Sequence, residues 1–305
     1  MKWINHGKSM EIFPPKEFDF DECLIFLERS EGEILHQIKD GYLYKLIKIN
    51  DELILTKIGS ESHSIQVEFP IGIPSETTGE IVAEYIWEWF DLGQNLGEFY
   101  EMARKDTILD QLANAYYGLR IICIPDLFEA LTWAILGQQI NLTFAYSLKK
   151  RLVEHYGESL TYDGQTYWIF PTYEKIARLD IEDLRKLQFS TRKAEYIIGV
   201  AEAMSSDQFS KETLLDLIEY HRVHQSLVSI RGVGAWTADY VMMKCLHYPD
   251  AFPIADVGLH NALKQQLGLE SKPTKAEIEK MAVNWKGWEA YATFYLWRSL
   301  YEETI

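Results

Sequence analysis

Hydrophobic and polar positions alternate along the first part of the chain, in a pattern typical of strands. Residues 41–49 (GYLYKLIKI), 53–58 and 64–69 are alternating or rich in β-branched and aromatic residues, which predicts a strand in each. Asn50-Asp51 and Gly59-Ser60 are turn signals within this region. The spacing therefore predicts a small sheet, with its strands joined by short connections.

The pattern changes near residue 80, where apolar positions begin to recur at helical spacing, and almost everything after residue 108 is predicted to be helical. Pro125-Asp126 introduces one helix, and Gly157 closes the next one, which begins at Asn141. The predicted helices cover residues 127–136, 141–156, 173–178, 181–187, 192–204, 212–220, 223–229, 235–246, 257–267, 276–283 and 288–301. Residues 162–171 are predicted to be a small irregular insertion. We therefore expect an α+β protein, with a small mixed N-terminal sheet domain in residues 1–105 and a mostly α-helical domain in residues 106–305.

Composition narrows the class of protein. The 305 residues are 47% hydrophobic, which is enough to bury sizeable cores. Cys23, Cys123 and Cys245 lie far apart, so they form neither a CxxC metal site nor a disulfide framework, as in a reducing cytosol. No apolar run approaches the ~18–20 residues of a membrane span, and the first residues lack a signal-peptide pattern. We expect a cytoplasmic protein that does not contact a membrane.

The net charge of −16 argues at first against a nucleic-acid partner, because phosphate contacts need Lys and Arg. Most of the excess, however, lies in residues 1–117, where acidic residues outnumber basic ones by about two to one, and the remainder of the chain is nearly balanced. The total charge therefore does not settle the partner.

The sharpest local feature is residues 227–240 (LVSIRGVGAWTADY), where two glycines one residue apart separate two predicted helices. The amides of Gly232, Gly234 and Ala235 would point from the N-terminus of the second helix, where a phosphate is favoured. For an isolated GxG pattern, an ordinary helix–helix corner with a glycine cap is the more common explanation. The residues that follow the glycine turn decide between a phosphate-binding turn and an ordinary corner.

Five motifs, in order along residues 108–301, resemble the helix-hairpin-helix superfamily of DNA glycosylases, and within it the DNA-3-methyladenine glycosylase II (AlkA) type. The hairpin register is followed by residues 252–259 (FPIADVGL), where this family has its catalytic aspartate. The other motifs are residues 125–131 (PDLFEAL) with 135–140 (ILGQQI), 189–197 (FSTRKAEYI), and the tryptophan-rich segment 285–298. The resemblance implies a helix-hairpin-helix at about residues 223–246.

The resemblance assigns the catalytic role to Asp256, which would stabilise the cationic sugar and orient the attacking water. By itself, an Asp after Pro253 and before a helix is more often an N-cap. The two roles are compatible, since a cap fixes the carboxylate rigidly. A single carboxylate is enough for this reaction, because an alkylated purine is cationic and leaves the sugar without protonation by a strong general acid.

The resemblance places Trp236, Tyr240, Trp297 and Gln138 at a base pocket. Electron-rich rings stack on a flipped base, and more strongly on a cationic one. Trp236 and Tyr240 are also four residues apart on one helix face, a spacing at which aromatic residues commonly pack in a core. Gln139 stands where the AlkA type can have an apolar wedge that fills the vacated base stack, and Ile140 can share that task.

The predicted DNA contacts are the hairpin residues Gly232, Gly234 and Ala235, together with Gln139, Arg192 and Lys193. Residues 149–151 (KKR) are further candidates, although charge clusters on helices are often only solvated faces. The resemblance also implies a monovalent cation on the main-chain carbonyls of Val228, Ile230 and Val233, and no other cofactor. His221, His224, His247 and His260 lack metal-ligand spacing, so we interpret them as surface or capping residues.

The resemblance implies a monofunctional enzyme, acting as a monomer, that flips an alkylated purine such as 3-methyladenine out of duplex DNA and hydrolyses its N-glycosidic bond. Bifunctional relatives have a Schiff-base lysine where this chain has Trp236, and endonuclease III-type relatives end in four cysteines that residues 246–305 lack. Three alternatives stay open: a glycosylase for deaminated or oxidised purines, a non-catalytic helix-hairpin-helix DNA-binding protein, and an acidic helical adaptor.

Overall fold

The alternating segments near the start of the chain form one antiparallel sheet. The computed structural model describes residues 1–301, and its strands are β1 Trp3–Asn5, β2 Ser9–Ile12, β3 His36–Lys39, β4 Tyr42–Ile49, β5 Glu52–Glu61 and β6 Ser64–Glu68. Their order across the sheet is β1-β2-β6-β5-β4-β3. Helix α1, Phe20–Leu27, lies between β2 and β3 in the chain, and Asp19 caps it by accepting a hydrogen bond from the Glu22 amide.

Helices make up most of the remaining chain, as the 3.6-residue spacing predicts. They are α2 Glu76–Trp89, α3 Gly97–Ala103, α4 Leu109–Ala115, α5 Leu127–Gly137, α6 Leu142–Tyr156, α7 Tyr173–Ile176, α8 Ile181–Lys186, α9 Thr191–Ser205, α10 Lys211–Leu215, α11 Tyr220–Val228, α12 Ala235–Lys244, α13 Val257–Gln266, α14 Lys275–Met281 and α15 Glu289–Arg298, with a 3₁₀ turn at Ala282–Trp285. The predicted α+β class, a small sheet followed by a mostly helical part, is confirmed.

The segment expected to be an irregular insertion is instead a hairpin. Strands β7, Glu158–Tyr162, and β8, Gln165–Ile169, pair antiparallel around Asp163-Gly164, both of which have positive φ. Asp-Gly between alternating residues is a strong hairpin signal, which the prediction overlooked. The Tyr167 side chain of β8 packs with Leu46 and Leu55 of the sheet, so burial of its ring stabilises the hairpin.

The helix predicted at residues 212–220 is also divided differently. Helix α10 ends at Leu215, and α11 begins at Tyr220. Between them Ile218 has a φ of 58°, a left-handed conformation that a β-branched residue rarely adopts and that no helix can contain. Apolar spacing alone does not reveal this break.

The sheet part and the helical part share one hydrophobic core, which runs from Met10 on β2 to Leu296 on α15. The Phe26 ring of α1 lies 4.4 Å from the Phe294 ring of α15, measured between centroids. This packing brings the end of α1 against the helical part, where it contributes to the site described below. In the described part of the chain, no helix is both long and apolar enough to cross a membrane.

Candidate active site

Asp256 is held by three hydrogen-bond donors. It caps α13, with Oδ1 accepting from the Leu259 amide at 2.9 Å. The indole N–H of Trp297 donates to the same oxygen at 2.8 Å, and the indole N–H of Trp236 donates to Oδ2 at 3.1 Å. A carboxylate offers about four acceptor positions, so these donors leave about one for a further partner. The carboxylate is thus fixed in orientation and still able to accept a hydrogen bond from a substrate or a water.

Asp256 lies in the wall of a cavity of about 400 Å³, and the aromatic residues in the lining include Trp236, Tyr240 and Trp297. Trp236 and Tyr240 are on one face of α12 with ring centroids 5.7 Å apart, and Trp297 of α15 lies 6.1 Å from Tyr240. The indole edges of the two tryptophans are turned to the carboxylate, whereas Tyr240 is buried. The structure therefore brings Asp256, Trp236, Tyr240 and Trp297 together, in a cavity of the size that a flat ring system needs.

Gly258 permits the contact between Asp256 and Trp297. A Cβ at this position would lie 2.9 Å from Asp256 Oδ1 and 3.1 Å from Trp297 Nε1. Any side chain here would push the indole and the carboxylate apart. Gly258 is visible in the Asp-Val-Gly sequence, but the need for glycine there comes from a tertiary contact with Trp297 that the sequence does not show.

Two walls of the cavity come from residues that the sequence did not single out. Phe26 and Arg29, at and just beyond the end of α1, line it from the N-terminal part. Lys244, at the end of α12, lines it from the helical part and is 3% exposed. Arg29 donates from Nη1 to the Phe26 carbonyl at 2.8 Å, with its guanidinium 4.1 Å from the Phe26 ring centroid. Lys244 falls four residues after Tyr240, so helical spacing was the signal that could have found it.

Gln138 and Lys193 are placed differently from the prediction. Gln138 is not among the residues lining the cavity, because its amide Nε2 donates to the Gly232 carbonyl and to Thr237 Oγ1, both at 3.0 Å. It joins the end of α5 to the hairpin. Lys193 is buried, and its ammonium donates to carbonyls at the end of α5, those of residues 135, 136 and 138. Since these carbonyls already engage the ammonium, Lys193 stabilises that helix end rather than facing solvent. Burial lowers the pKa of Lys193 to about 8.

The glycine turn between α11 and α12 has two different glycines. Gly232 has a φ of 95°, and a Cβ there would lie 2.3 Å from the Tyr196 ring, so the fold itself requires glycine. Gly234 caps α12, is exposed, and has open space where a Cβ would be. Nothing in the described residues demands a glycine at 234, whereas a ligand approaching the helix N-terminus would.

The remaining predicted DNA contacts lie on the surface. Ala235 is exposed at the first position of α12, Arg192 is exposed near the start of α9, and Gln139 is exposed in the loop between α5 and α6. Gln139 has a φ of 57°, in the left-handed region that residues other than glycine adopt less often. Ile140 turns inward and lines the cavity.

Lys149, a candidate for backbone contacts, is instead buried in an ion pair. Its ammonium lies 3.0 Å from Glu33 and 3.4 Å from Glu129, and 5.4 Å from the ring centroid of Trp133, which lines the cavity. The pair joins α6 to the segment after α1. The ion pair therefore helps to hold Trp133, which is part of the cavity wall, in place.

Asp91, Cys123 and His247 form the one group in residues 1–301 whose ligand atoms are close enough for a metal. The prediction for His247 as a surface or capping residue is wrong: the imidazole is partly buried, and Nδ1 lies 2.7 Å from Asp91 Oδ1. Tyr291 donates to the other Asp91 oxygen at 2.6 Å. Burial raises the pKa of the Cys123 thiol, which disfavours the thiolate that a metal needs. We interpret the group as a structural hydrogen-bond network.

Comparison with known proteins agrees with this geometry. Residues 132–287 match the model of the HhH-GPD superfamily of base excision DNA repair proteins, and residues 14–131 match that of the 8-oxoguanine DNA glycosylase N-terminal domain. The chain belongs to the HhH-GPD superfamily. The family assignment made from the motifs is confirmed.

Full-length relatives support this HhH-GPD assignment. The chain is 44% identical over 304 residues to the DNA-3-methyladenine glycosylase of Bacillus subtilis, covering 99% of this chain and 100% of that one. It is 31% identical to DNA-3-methyladenine glycosylase 2 of Escherichia coli, covering 93% and 94% of the two chains. In fold it resembles a 3-methyladenine DNA-glycosylase from Archaeoglobus fulgidus, with a TM-score of 0.82, 23% identity, and coverage of 97% and 99%.

Proposed function

We propose that this HhH-GPD protein is a DNA glycosylase that hydrolyses the N-glycosidic bond of alkylated purines, chiefly 3-methyladenine, in duplex DNA. One observation carries the proposal: Asp256, oriented by two indole N–H groups and a backbone amide, faces an aromatic cavity. The names of the Bacillus subtilis and Escherichia coli relatives support the same substrate. A non-catalytic DNA-binding protein would have no use for such a carboxylate.

In the proposed reaction the damaged nucleotide leaves the base stack and its base enters the cavity. The glycosidic bond breaks with its electron pair passing to the base, which is neutralised because it was cationic. Asp256 stabilises the positive charge that develops on the sugar, an interaction that strengthens only as the bond breaks. A water then bonds to C1′ and gives its proton to the carboxylate.

The hairpin is proposed to hold the DNA backbone through the amides of Gly232, Gly234 and Ala235, with Arg192 and Gln139 beside it. A monovalent cation fits this turn. The Val228 and Val233 carbonyls accept no hydrogen bond within residues 1–301, and the Ile230 carbonyl accepts one, from the Val233 amide at 3.0 Å. With a cation bound to these three carbonyls, the turn would present positive charge to a phosphate.

The residues that line the cavity, Asp256 included, come from one chain, which supports action as a monomer. We propose that the protein acts in the bacterial cytosol, as the bacterial origin of its relatives suggests. Light scattering on the purified protein, alone and with a short duplex, tests the stoichiometry. A dimer in both samples would contradict this part of the proposal.

The decisive experiment for the proposed function is release of free bases from methylated duplex DNA, measured by chromatography. We expect 3-methyladenine to be released and abasic sites to remain. Release of no base at all, despite DNA binding, would favour a binding protein. Release of only oxidised or deaminated bases from matched duplexes would favour the alternative substrates.

The same samples test the monofunctional chemistry. Because Trp236 occupies the position of the Schiff-base lysine in bifunctional relatives, borohydride should trap no covalent protein–DNA adduct, and strands should break only after alkali. Enzyme-dependent strand cleavage with trapping would contradict the assignment.

A further inference from the structure

A groove of about 920 Å³ lies between α8, α9 and α11, outside the active site. We call it the acidic groove, and its lining residues come from the segments 179–182, 195–203, 208–209 and 226–231. None of them also lines the cavity that contains Asp256. The proposed reaction therefore leaves this groove unused, and its volume is large enough for a short peptide segment.

The bottom of the acidic groove is apolar. Ile198 of α9 and Phe209 line it with side chains that are each 7% exposed. Leu179, Ile181 and Ile230 also line it and are half-buried. Buried apolar side chains inside a polar rim are the usual anatomy of a protein–protein interface.

Gly199 keeps the acidic groove open beside α9. It lies inside the helix, where glycine costs about 1 kcal/mol relative to alanine. Nothing in the described residues stands within 4 Å of an added Cβ, so no contact there requires a glycine. Ala203, one turn further along the same face, also lines the groove. Another backbone can thus approach α9 closely at these two residues.

The rim of the acidic groove is negatively charged. Four carboxylates line it, those of Asp180, Glu182, Glu195 and Glu202, against the single guanidinium of Arg231. Arg231 pairs with Glu195 at 2.8 Å, whereas Asp180 and Glu202 form no ion pair within residues 1–301. The excess of carboxylates repels a phosphate backbone and favours a partner that carries Lys and Arg.

The acidic groove adjoins the hairpin that is proposed to hold DNA. Ser229, Ile230 and Arg231, which line one end of the groove, belong to the turn between α11 and α12. An occupant of the groove would therefore lie beside the DNA backbone. Its basic side chains would face the carboxylates on one side and phosphates on the other.

We propose that the acidic groove docks a basic amphipathic helix of a partner protein. The apolar face of that helix contacts Ile198 and Phe209, and its Lys or Arg side chains pair with the carboxylates of the rim. The position beside the hairpin suits a partner that itself binds DNA. Docking does not depend on the proposed function, and only this choice of a DNA-binding partner rests on it.

A synthetic amphipathic peptide of about 15 residues, the length at which an isolated helix becomes marginally stable in water, serves as the probe. It has leucine on one helical face and lysine on the other, and a matched peptide has glutamate in place of each lysine. Fluorescence anisotropy measures binding to the full chain, and hydrogen exchange locates the site. We expect the lysine peptide to bind at least about tenfold more tightly than the glutamate peptide, and to protect amides in residues 179–182, 195–203 and 226–231.

Three variants make the test specific. Gly199→Leu fills the bottom of the groove and should weaken binding of the lysine peptide by about tenfold or more, while leucine favours the helix and keeps the fold. Glu202→Lys reverses an exposed charge of the rim and should also weaken binding, most strongly at low salt. Glu84→Lys makes the same charge change at an exposed position on α2 and should bind as wild type does.

The inference is overturned if neither peptide binds, if both bind equally, or if Gly199→Leu binds the lysine peptide as wild type does. Two further results would assign the groove to another occupant and also overturn it. One is a loss of affinity for duplex DNA in Gly199→Leu in place of a loss for the peptide. The other is self-association of the wild-type protein, seen by light scattering, that Gly199→Leu abolishes.

Base excision separates this inference from the proposed function. Single-turnover excision of 3-methyladenine should be the same for Gly199→Leu and wild type, because the groove shares no lining residue with the active-site cavity. A failure of peptide binding with normal excision overturns the docking inference alone. A wild-type protein that binds the lysine peptide in the groove but releases no 3-methyladenine overturns the proposed function alone.

Discussion

At the scale of single residues, the site depends on how closely Asp256 and the two indoles approach each other. Each carboxylate oxygen accepts an indole N–H, and the α13 amide fixes the remaining orientation. Such preorganised contacts favour a charge that develops only during reaction. The residue that permits the arrangement, Gly258, contributes no functional group of its own.

Gly258→Ala tests this close approach. The added Cβ would lie 2.9 Å from Asp256 Oδ1, so the carboxylate or the Trp297 indole must move. Because displacement by about 1 Å commonly costs about 100-fold in rate, we expect base excision to slow by about 10- to 100-fold. The stability should change little, since alanine favours the helix by about 1 kcal/mol over glycine.

Gly199→Ala is the matched control, because Gly199 lies within α9 and nothing stands within 4 Å of its added Cβ. This variant should excise bases as wild type does. If Gly258→Ala also retained the wild-type single-turnover rate, the indole contact would not matter for the reaction.

The sequence predicted the aromatic residues and the aspartate because a motif carried them, but it did not predict where long polar side chains end. Lys193 lies within a motif, yet its ammonium turns to the end of α5. Gln138 similarly donates to the hairpin. A flexible polar side chain turns toward a nearby backbone carbonyl that lacks a hydrogen bond. In both cases that carbonyl belongs to an element distant in the chain.

At the scale of elements, the α11–α12 hairpin combines a glycine that the fold needs with one that it does not. Gly232 packs against the Tyr196 ring in a left-handed conformation, whereas Gly234 faces open space at the N-terminus of α12. A phosphate on these amides would occupy that space.

A graded series at position 234 tests whether the hairpin holds DNA. Gly234→Ala and then Gly234→Val should weaken binding to a duplex containing an abasic-site mimic, more for the larger side chain. The salt dependence should correspond to a handful of phosphates. Circular dichroism should stay native, since an unfavourable N-cap costs about 1 kcal/mol. Unchanged affinity in a folded Gly234→Val variant would make the turn purely structural.

The helices and their caps were largely predictable, because amphipathic spacing and capping residues are local properties. Asp126, Asn141 and Asp256 all cap helices, each through a side-chain oxygen that accepts a backbone N–H. The β7–β8 hairpin and the break at Ile218 were not predicted. In both, packing or backbone conformation overrides the apolar spacing.

At the scale of the whole molecule, the N-terminal part completes the cavity. Phe26 and Arg29 line the cavity directly. Glu33 forms an ion pair with Lys149, whose ammonium lies beside the Trp133 ring. No local pattern could have revealed this, because these residues meet the helical part only through tertiary packing. The acidic composition of residues 1–117 therefore says little about the role of this region in the site.

The Glu33–Lys149 pair should contribute to stability in a pH-dependent way. The side chains of Glu33 and Lys149 are 11% and 6% exposed. Burial is the largest single influence on Glu33 and opposes its ionisation, but the Lys149 ammonium, His36 and the hydrogen bond from the Leu35 amide together outweigh it and hold the pKa of Glu33 well below its ordinary value. The stabilisation is therefore present above about pH 4 and is lost as the pH falls further.

Glu33→Gln should lower the free energy of unfolding by about 3 kcal/mol at pH 7, as expected when one partner of a buried pair is removed. The difference from wild type should shrink below about pH 4, as measured by urea unfolding. Glu154→Gln removes the partner of exposed Lys150 on the same helix and should cost less than about 0.5 kcal/mol. Equal effects of the two variants would contradict the buried-pair account.

The central claim, that Asp256 is a catalytic carboxylate as well as a helix cap, is tested most directly by single-turnover excision of 3-methyladenine by Asp256→Asn. Asparagine is also a good cap, but it has one acceptor oxygen where the carboxylate has two, so one indole N–H loses its partner. The stability should therefore fall by about 1–3 kcal/mol, whereas Asp19→Asn at the cap of α1 should cost about 1 kcal/mol or less. Excision should fall by at least about 10²–10³-fold, because the negative charge is lost. Affinity for an abasic-site mimic should be nearly unchanged. An Asp256→Asn protein that excises 3-methyladenine at close to the wild-type rate would contradict the account and leave Asp256 as a helix cap alone.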